Sequence, residues 1–269
     1  MPMVFACSVS HAPGIRAWPD APDTELKERF YAKFQTLRRK MLATKPETLL
    51  IISSEHFTNF FLDCMPAFTI GQADEYFGPV EPWVRIKQGV STGNPSVSKR
   101  LLEACYKNGI ELTYSQEMKL DHGIMIPLSF LDPMRDLPVT PLIINAMTYP
   151  MPTQKRCYEL GKTLYKALEN EKERVAVIAA GGLSHAPGEH THGNIDAQFD
   201  REFIRQITEK DVDAFTSYSD KELESRGLGT HEIRTWVTMA GIAENLQAKP
   251  LFYEPIPAWA TGCGLLYYD

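Results

Sequence analysis

The sequence predicts an α/β fold, a single domain with a mixed central β-sheet flanked by helices, and three observations carry that prediction. Strand-like and helix-like segments alternate from one end of the chain to the other. No Gly/Ser-rich linker, internal repeat or low-complexity stretch divides them. The 269 residues, 43% hydrophobic and 23% charged, are enough for one large α/β core, so residues 1–269 are read as one domain.

Residues 4–9 are β-rich and open the chain, and 24–43 then carry helical periodicity, with Thr24 expected as N-cap. Residues 48–53 and 65–71 are short β-rich runs. Residues 95–108 read as a helix that stops near Gly109, and 110–114 return to strand. An apolar helix-like run covers 124–131, followed by a strand over 139–146, a charged amphipathic helix over 153–170 and an apolar strand over 174–180. Residues 195–208 and 230–245 are helical, and 264–268 close the chain as strand. The stretch 77–93, rich in Pro, Gly and aromatics, has no clear period and reads as a surface excursion or part of a subunit contact.

The formal charge of −6 argues against a general nucleic-acid or anionic-membrane partner. The five cysteines, Cys7, Cys64, Cys105, Cys157 and Cys263, are odd in number and scattered, without Cys-x-x-Cys spacing, and are expected to be reduced and mostly buried. The first residues lack the basic-then-apolar order of a signal peptide, and no apolar run approaches the roughly 18 residues of a membrane span, so a cytoplasmic location is expected.

Four of the seven histidines sit in similar settings: Ser-His-Ala-Pro-Gly at His11, Ser-Glu-His-Phe at His56, Asp-His-Gly at His122 and Gly-Gly-Leu-Ser-His-Ala-Pro at His185. His11, His56 and His185 follow strand-like stretches. Histidines leaving strand ends from distant parts of a chain are how a metal or acid–base site is built on an α/β sheet, and they point to an enzyme. His11 reads as a turn residue or a ligand, and His56 as a capping residue or a ligand. Neutral imidazole is the commonest ligand of first-row metals.

Glu232 is the candidate carboxylate partner. With Trp236, Met239 and Ala243 it lies on one helical face, where an acid is costly to bury without a counter-charge; the alternative is a solvent-exposed glutamate near the helix N-terminus. Gly181 and Gly182 before His185 allow close backbone approach. Asp121, adjacent to His122, need not be its partner. His190 and His192 are read as a polar loop rather than a metal motif, and His231 is expected to point away from Glu232. Phe57, Phe60, Phe61, Trp83, Tyr149 and Trp259 are candidate pocket walls, with core packing as the alternative for most.

Taken in order, these blocks, together with Pro127-Leu128 and the segment His-Glu-Ile-Arg-Thr-Trp from His231, resemble the catalytic subunit of class III extradiol ring-cleavage dioxygenases, of which the protocatechuate 4,5-dioxygenase β-subunit is the reference member. The resemblance spans residues 11 to about 242. It implies that His11, His56 and Glu232 bind a non-haem Fe(II), that His185 is the acid–base residue, and that His122 contacts substrate or oxygen. It further implies insertion of both atoms of O2 into a catecholic or 2-aminophenol-type ring, which opens beside the two heteroatoms rather than between them. Glu55 stands where many relatives have Asp. No segment resembles the small helical subunit that some relatives require, so the expected assembly is a homo-oligomer or a hetero-oligomer with a small helper subunit. The residues alone also permit a zinc-dependent hydrolase on the same ligands, or a non-catalytic binding module of the same fold.

Overall fold

The computed structural model describes residues 2–188 and 192–269; His190 lies outside the described residues. The strands are β1 (Met3–Val9), β2 (Thr48–Ser54), β3 (Phe68–Gly71), β4 (Glu75–Gly78), β5 (Gly89–Thr92), β6 (Thr113–Ser115), β7 (Val139–Ile144), β8 (Val175–Ala180), β9 (Ala248–Ile256) and β10 (Thr261–Tyr268). The longer helices are α1 (Thr24–Ala43), α2 (Pro95–Lys107), α3 (His122–Leu131), α4 (Gln154–Glu169), α5 (Ala197–Glu209) and α6 (Ile233–Ile242).

Eight strands form one mixed sheet in the order β6-β3-β7-β2-β8-β1-β10-β9. The middle four, β7, β2, β8 and β1, are parallel. β3 flanks them antiparallel on one side; on the other, β10 runs antiparallel to β1, and β9 antiparallel to β10. The parallel strands are covered on both faces, which is why β2 (TLLIISS) and β8 (VAVIAA) are apolar over most of their length rather than alternating with polar residues. Period-two geometry then sends successive side chains to different cores. Leu50, Ile52, Val177 and Ala179 join α2, α4, α5 and α6, whereas Leu49, Ile51, Ile178 and Ala180 join α1 and α3.

Most boundaries match the sequence reading to within a few residues, and the exceptions have local causes. Asp23, not Thr24, caps α1: its backbone is extended and its carboxylate accepts the N–H groups of Glu25 and Leu26, while Thr24 is already helical. Strand 110–114 shrinks to β6, because Ile110 and Leu112 turn into the core before pairing begins. The helix expected over 230–245 begins as a 3₁₀ turn, Leu228–Glu232, and only then becomes α6. β9 carries Pro250 and Pro255 on an edge strand, which masked its pattern.

The unassigned stretch 77–93 contains the end of β4, a loop over residues 79–88, and β5. It is tied to the segment before α3: the Leu120 N–H donates to Phe77 O at 2.9 Å and the Val80 N–H to Leu120 O at 3.0 Å. Gly78 packs there without a side chain, because a Cβ would lie 2.6 Å from Leu120 O. Among the described residues no helix is long and apolar enough to cross a membrane. All five cysteines are free, four of them buried and Cys64 exposed.

Candidate active site

The parallel neighbours β2, β8 and β1 end on the same edge of the sheet, and each delivers a histidine segment there. Beyond β1, Ser10 ties the chain to β10 by accepting the Gly264 N–H at 2.9 Å, which fixes the exit that carries buried His11. Beyond β2, Glu55 is itself buried. Its Oε1 accepts the N–H groups of Thr58, Asn59 and Phe60 at 2.5, 2.8 and 3.4 Å, curling the chain around His56. Phe57 takes a positive φ of 55° in that turn. Beyond β8, Gly182 donates its N–H to Glu232 Oε2 at 2.5 Å.

Glu232 is 3% exposed and makes no capping hydrogen bond to α6. Its carboxylate instead faces three imidazoles: Oε2 lies 3.0 Å from His11 Nε2, and Oε1 lies 3.1 Å from His56 Nε2 and 3.7 Å from His185 Nε2. His185 Nδ1 donates to Leu183 O at 2.8 Å; a carbonyl can only accept, so Nδ1 carries the proton and Nε2 is left for the site. The His122 ring stands 4.2 Å from that of His56 and 5.6 Å from that of His11. The four singled-out histidines and Glu232 therefore meet in one place, and His231 does not join them. Its Nδ1 accepts from Arg234 Nη1 at 2.8 Å.

The electrostatics follow from burial and charge. Burial lowers the pKa of His11, with Glu232 opposing. Burial also works against a charged His56, but Asp121 and then Glu232 outweigh it and raise its pKa well above the ordinary value. For Glu232 burial again disfavours charge, yet His11 and His185 hold the carboxyl well below the usual range. The ionised acid thus sits among imidazoles, with neighbours that favour its charge.

Whether these residues suit a metal can be tested on His11. Its buried Nε2 is close to Glu232 yet not aligned with it as a hydrogen bond, and among the described residues it has no other partner. A buried imidazole nitrogen 3.0 Å from a buried carboxylate, without an aligned hydrogen bond between them, suits a cation that both could hold. Two imidazoles and one carboxylate are the donor set of non-haem iron sites. The outer contacts match as well: His56 Nδ1 bonds Asp121 Oδ2 at 2.8 Å, and Ser53 Oγ lies 3.4 Å from His11 Nδ1. One ring nitrogen from each of His11, His56 and His122 also falls within 4.8 Å of the others. The set with Glu232 supplies the negative charge that three imidazoles lack.

The acid partner of His122 was not read from sequence. Glu81, in the loop between β4 and β5, sits 2.6 Å from His122 Nδ1. Asp121 pairs with His56 rather than with its neighbour His122, and also caps α3 by accepting the Gly123 N–H. Trp83 lies 6.3 Å from the His122 ring and stacks on Trp18, which sequence reasoning missed. A cavity of about 200 Å³ beside His185 is lined by Trp18, Pro187, His192, Pro257 and Trp259. Of the other candidate wall residues, Phe57 and Phe61 are exposed, Phe60 packs on the core edge, and Tyr149 stands against His231, off the site. Nothing in the sequence periodicity marked Glu81 or Trp18, since both lie in irregular or very short segments.

Comparison with known proteins adds a family and a fold. The family described as the catalytic LigB subunit of aromatic ring-opening dioxygenase matches residues 5–264. The chain is 25% identical to a protein of Photorhabdus laumondii subsp. laumondii named 2,3-dihydroxyphenylpropionate/2,3-dihydroxicinnamic acid 1,2-dioxygenase, over 96% of this chain and 94% of that one. A protein of the same name from Escherichia coli O81 is 27% identical, over 96% of each chain. The crystal structure of an uncharacterized protein from Escherichia coli K12 superposes with a TM-score of 0.62 at 12% identity, over 99% of this chain and all of that one, a likeness of fold alone.

Proposed function

The chain belongs to the LigB family of catalytic subunits of aromatic ring-opening dioxygenases, and on that premise we propose that it is a non-haem Fe(II) enzyme that opens catecholic or 2-aminophenol-type rings beside their paired heteroatoms. One observation carries the reading: the buried carboxylate of Glu232 faces ring nitrogens of both His11 and His56, at 3.0 and 3.1 Å. Membership in a family of dioxygenase catalytic subunits favours this over a zinc hydrolase or a non-catalytic binding module.

His11, His56 and Glu232 are the residues that would hold the iron. When bound, Fe(II) supplies the Lewis acidity and redox chemistry that bring ring and dioxygen to react. His185 stays outside the ligand set, with Nδ1 committed to Leu183 O and Nε2 turned toward Glu232. That nitrogen takes the proton of a substrate hydroxyl and returns it as the ring opens, since an imidazole can accept and give a proton near neutrality. His122, across the site, contacts substrate or dioxygen. Trp18 and Trp83 stack on each other at this side, and the cavity beside His185 receives the ring. The relatives named for 2,3-dihydroxyphenylpropionate suggest a 3-substituted catechol as the first substrate to try. The working assembly is a homo-oligomer, or a hetero-oligomer with a small helper subunit.

The test is anaerobic Fe(II) reconstitution followed by oxygen-uptake screening of catechols, aminophenols and dihydroxypyridines. Ring opening by the iron-loaded protein is expected, with iron content and turnover both lost in Glu232→Ala. Full iron content and turnover in that variant would remove Glu232 from the site.

A further inference from the structure

The loop over residues 79–88 brings one carboxylate to the site, and no part of the reading above uses it. Glu81 Oε1 is shared by two donors of a single residue: the His122 backbone N–H at 3.2 Å and His122 Nδ1 at 2.6 Å. The other oxygen, Oε2, is buried with no hydrogen-bond partner among the described residues. Among the described residues, all of the side-chain hydrogen bonding Glu81 does is directed at His122. The loop that carries it is tethered independently: Gln88 Nε2 donates to Pro79 O at 2.9 Å, and Arg135 donates to Gly78 O at 3.4 Å and to Lys87 O.

We propose that Glu81 is a positioning residue for the ring-opening reaction, holding His122 as the Nδ1–H tautomer so that Nε2 faces the substrate. An ionised carboxylate only accepts, so the short contact requires a proton on Nδ1. The second bond, to the His122 backbone, fixes where the carboxylate stands. The ring can then neither flip nor exchange tautomers without leaving Glu81 Oε1 with an unpaired neighbour. Trp83, two residues along the same loop and 6.3 Å from the His122 ring, limits its motion from another direction. Asp121 has no part in this, since its carboxylate is engaged by His56 and by the α3 N-terminus. The proposal rests on the reading that His122 contacts substrate or dioxygen.

The rival account is that Glu81 merely caps α3 through the backbone N–H, and a double-mutant cycle separates the two. Glu81→Ala should keep its iron and lose kcat by about 10–100-fold, the usual scale for removing the partner that orients an active imidazole. Glu81→Gln, whose amide oxygen can still accept the Nδ1 proton, should recover most of that loss. In a His122→Phe background, adding Glu81→Ala should change kcat by less than about threefold, although the backbone bond is lost there too. Equal losses in both backgrounds, or full activity of Glu81→Ala, would overturn the proposal. A His122→Phe enzyme with wild-type kcat and KM would instead sink the assigned role of His122. The tautomer can be read without turnover, from imidazole ¹⁵N shifts of the zinc-substituted protein at about pH 8, with His122 identified by its absence in His122→Phe. A proton on Nδ1 is expected there, and a bare Nδ1 would overturn the proposal in a correctly folded wild-type protein.

Discussion

Adding one methyl group at Gly182 should disable the enzyme without removing its metal. A Cβ on Gly182 would lie 2.3 Å from His185 Cε1, 2.6 Å from His185 Nδ1 and 2.9 Å from Glu232 Oε2. Non-bonded carbons settle at about 3.5–4.0 Å, so the imidazole must withdraw by more than about 1 Å. Gly229, from a different segment, crowds the same ring, since a Cβ there would lie 2.1 Å from Nε2. The displaced ring must also give up or stretch the 2.8 Å bond from Nδ1 to Leu183 O that sets its tautomer. A misplacement of about 1 Å in a catalytic group costs on the order of 10²-fold in rate, or about 2.7 kcal/mol of transition-state stabilisation. The strain should lower folding stability by about 1–3 kcal/mol, the usual range for overpacking. The assay is oxygen uptake under saturating substrate, run beside iron content, anaerobic substrate binding and urea denaturation. Gly182→Ala and Gly229→Ala should each keep iron and bind substrate, with kcat down by about 10²-fold. A Gly182→Ala enzyme of reduced stability but normal kcat would show that the placement of His185 does not govern the chemistry. Normal stability and normal kcat together would refute the close packing itself.

Three further outcomes follow from the contacts around the site. Asp121 accepts from His56 with one oxygen and from the Gly123 N–H with the other, and an asparagine has a single acceptor for these two donors. Asp121→Asn should therefore bind Fe(II) about 10–100-fold more weakly in a chelator competition, and unchanged affinity would count against the orienting role. Glu55→Ala strands the N–H groups of residues 58–60 and should cost about 1–3 kcal/mol in urea unfolding, with wild-type stability the refuting result. Asp200, buried beside Ser184, Tyr253, Asp196 and Cys263, has its carboxyl pushed up to about 6 chiefly by burial, partly offset by hydrogen bonds from Ser184 and Tyr253. A raised carboxyl pKa means its contribution is fully present below about pH 4 and is lost as pH rises through about 6, roughly 3 kcal/mol in all. Relative to Asp200→Asn, which stays neutral, the wild type should lose stability across that window; parallel pH profiles would exclude an ionising Asp200.

What the sequence determined by itself was local. The apolar runs of β1, β2 and β8 are legible because a strand buried on both faces is apolar over most of its length, and the histidines that follow them are legible as strand-end residues. Glu232 was legible because its spacing puts it on one helical face with Trp236 and Met239, where an acid needs a reason to be buried, although the structure ends a 3₁₀ turn there. What only the tertiary structure decided was pairing. Asp121 lies next to His122 in sequence but serves His56, 65 residues away, because neighbouring side chains at a helix start diverge. The partner of His122 is Glu81, 41 residues away in a loop whose composition carries no period. Trp18 reaches Trp83 in the same way, from a short helical turn. Periodicity records which face of an element is buried, within a window of about ten residues. Which acid meets which imidazole depends on how strands and loops far apart in the chain are brought together, and that is fixed only when the sheet closes its two cores.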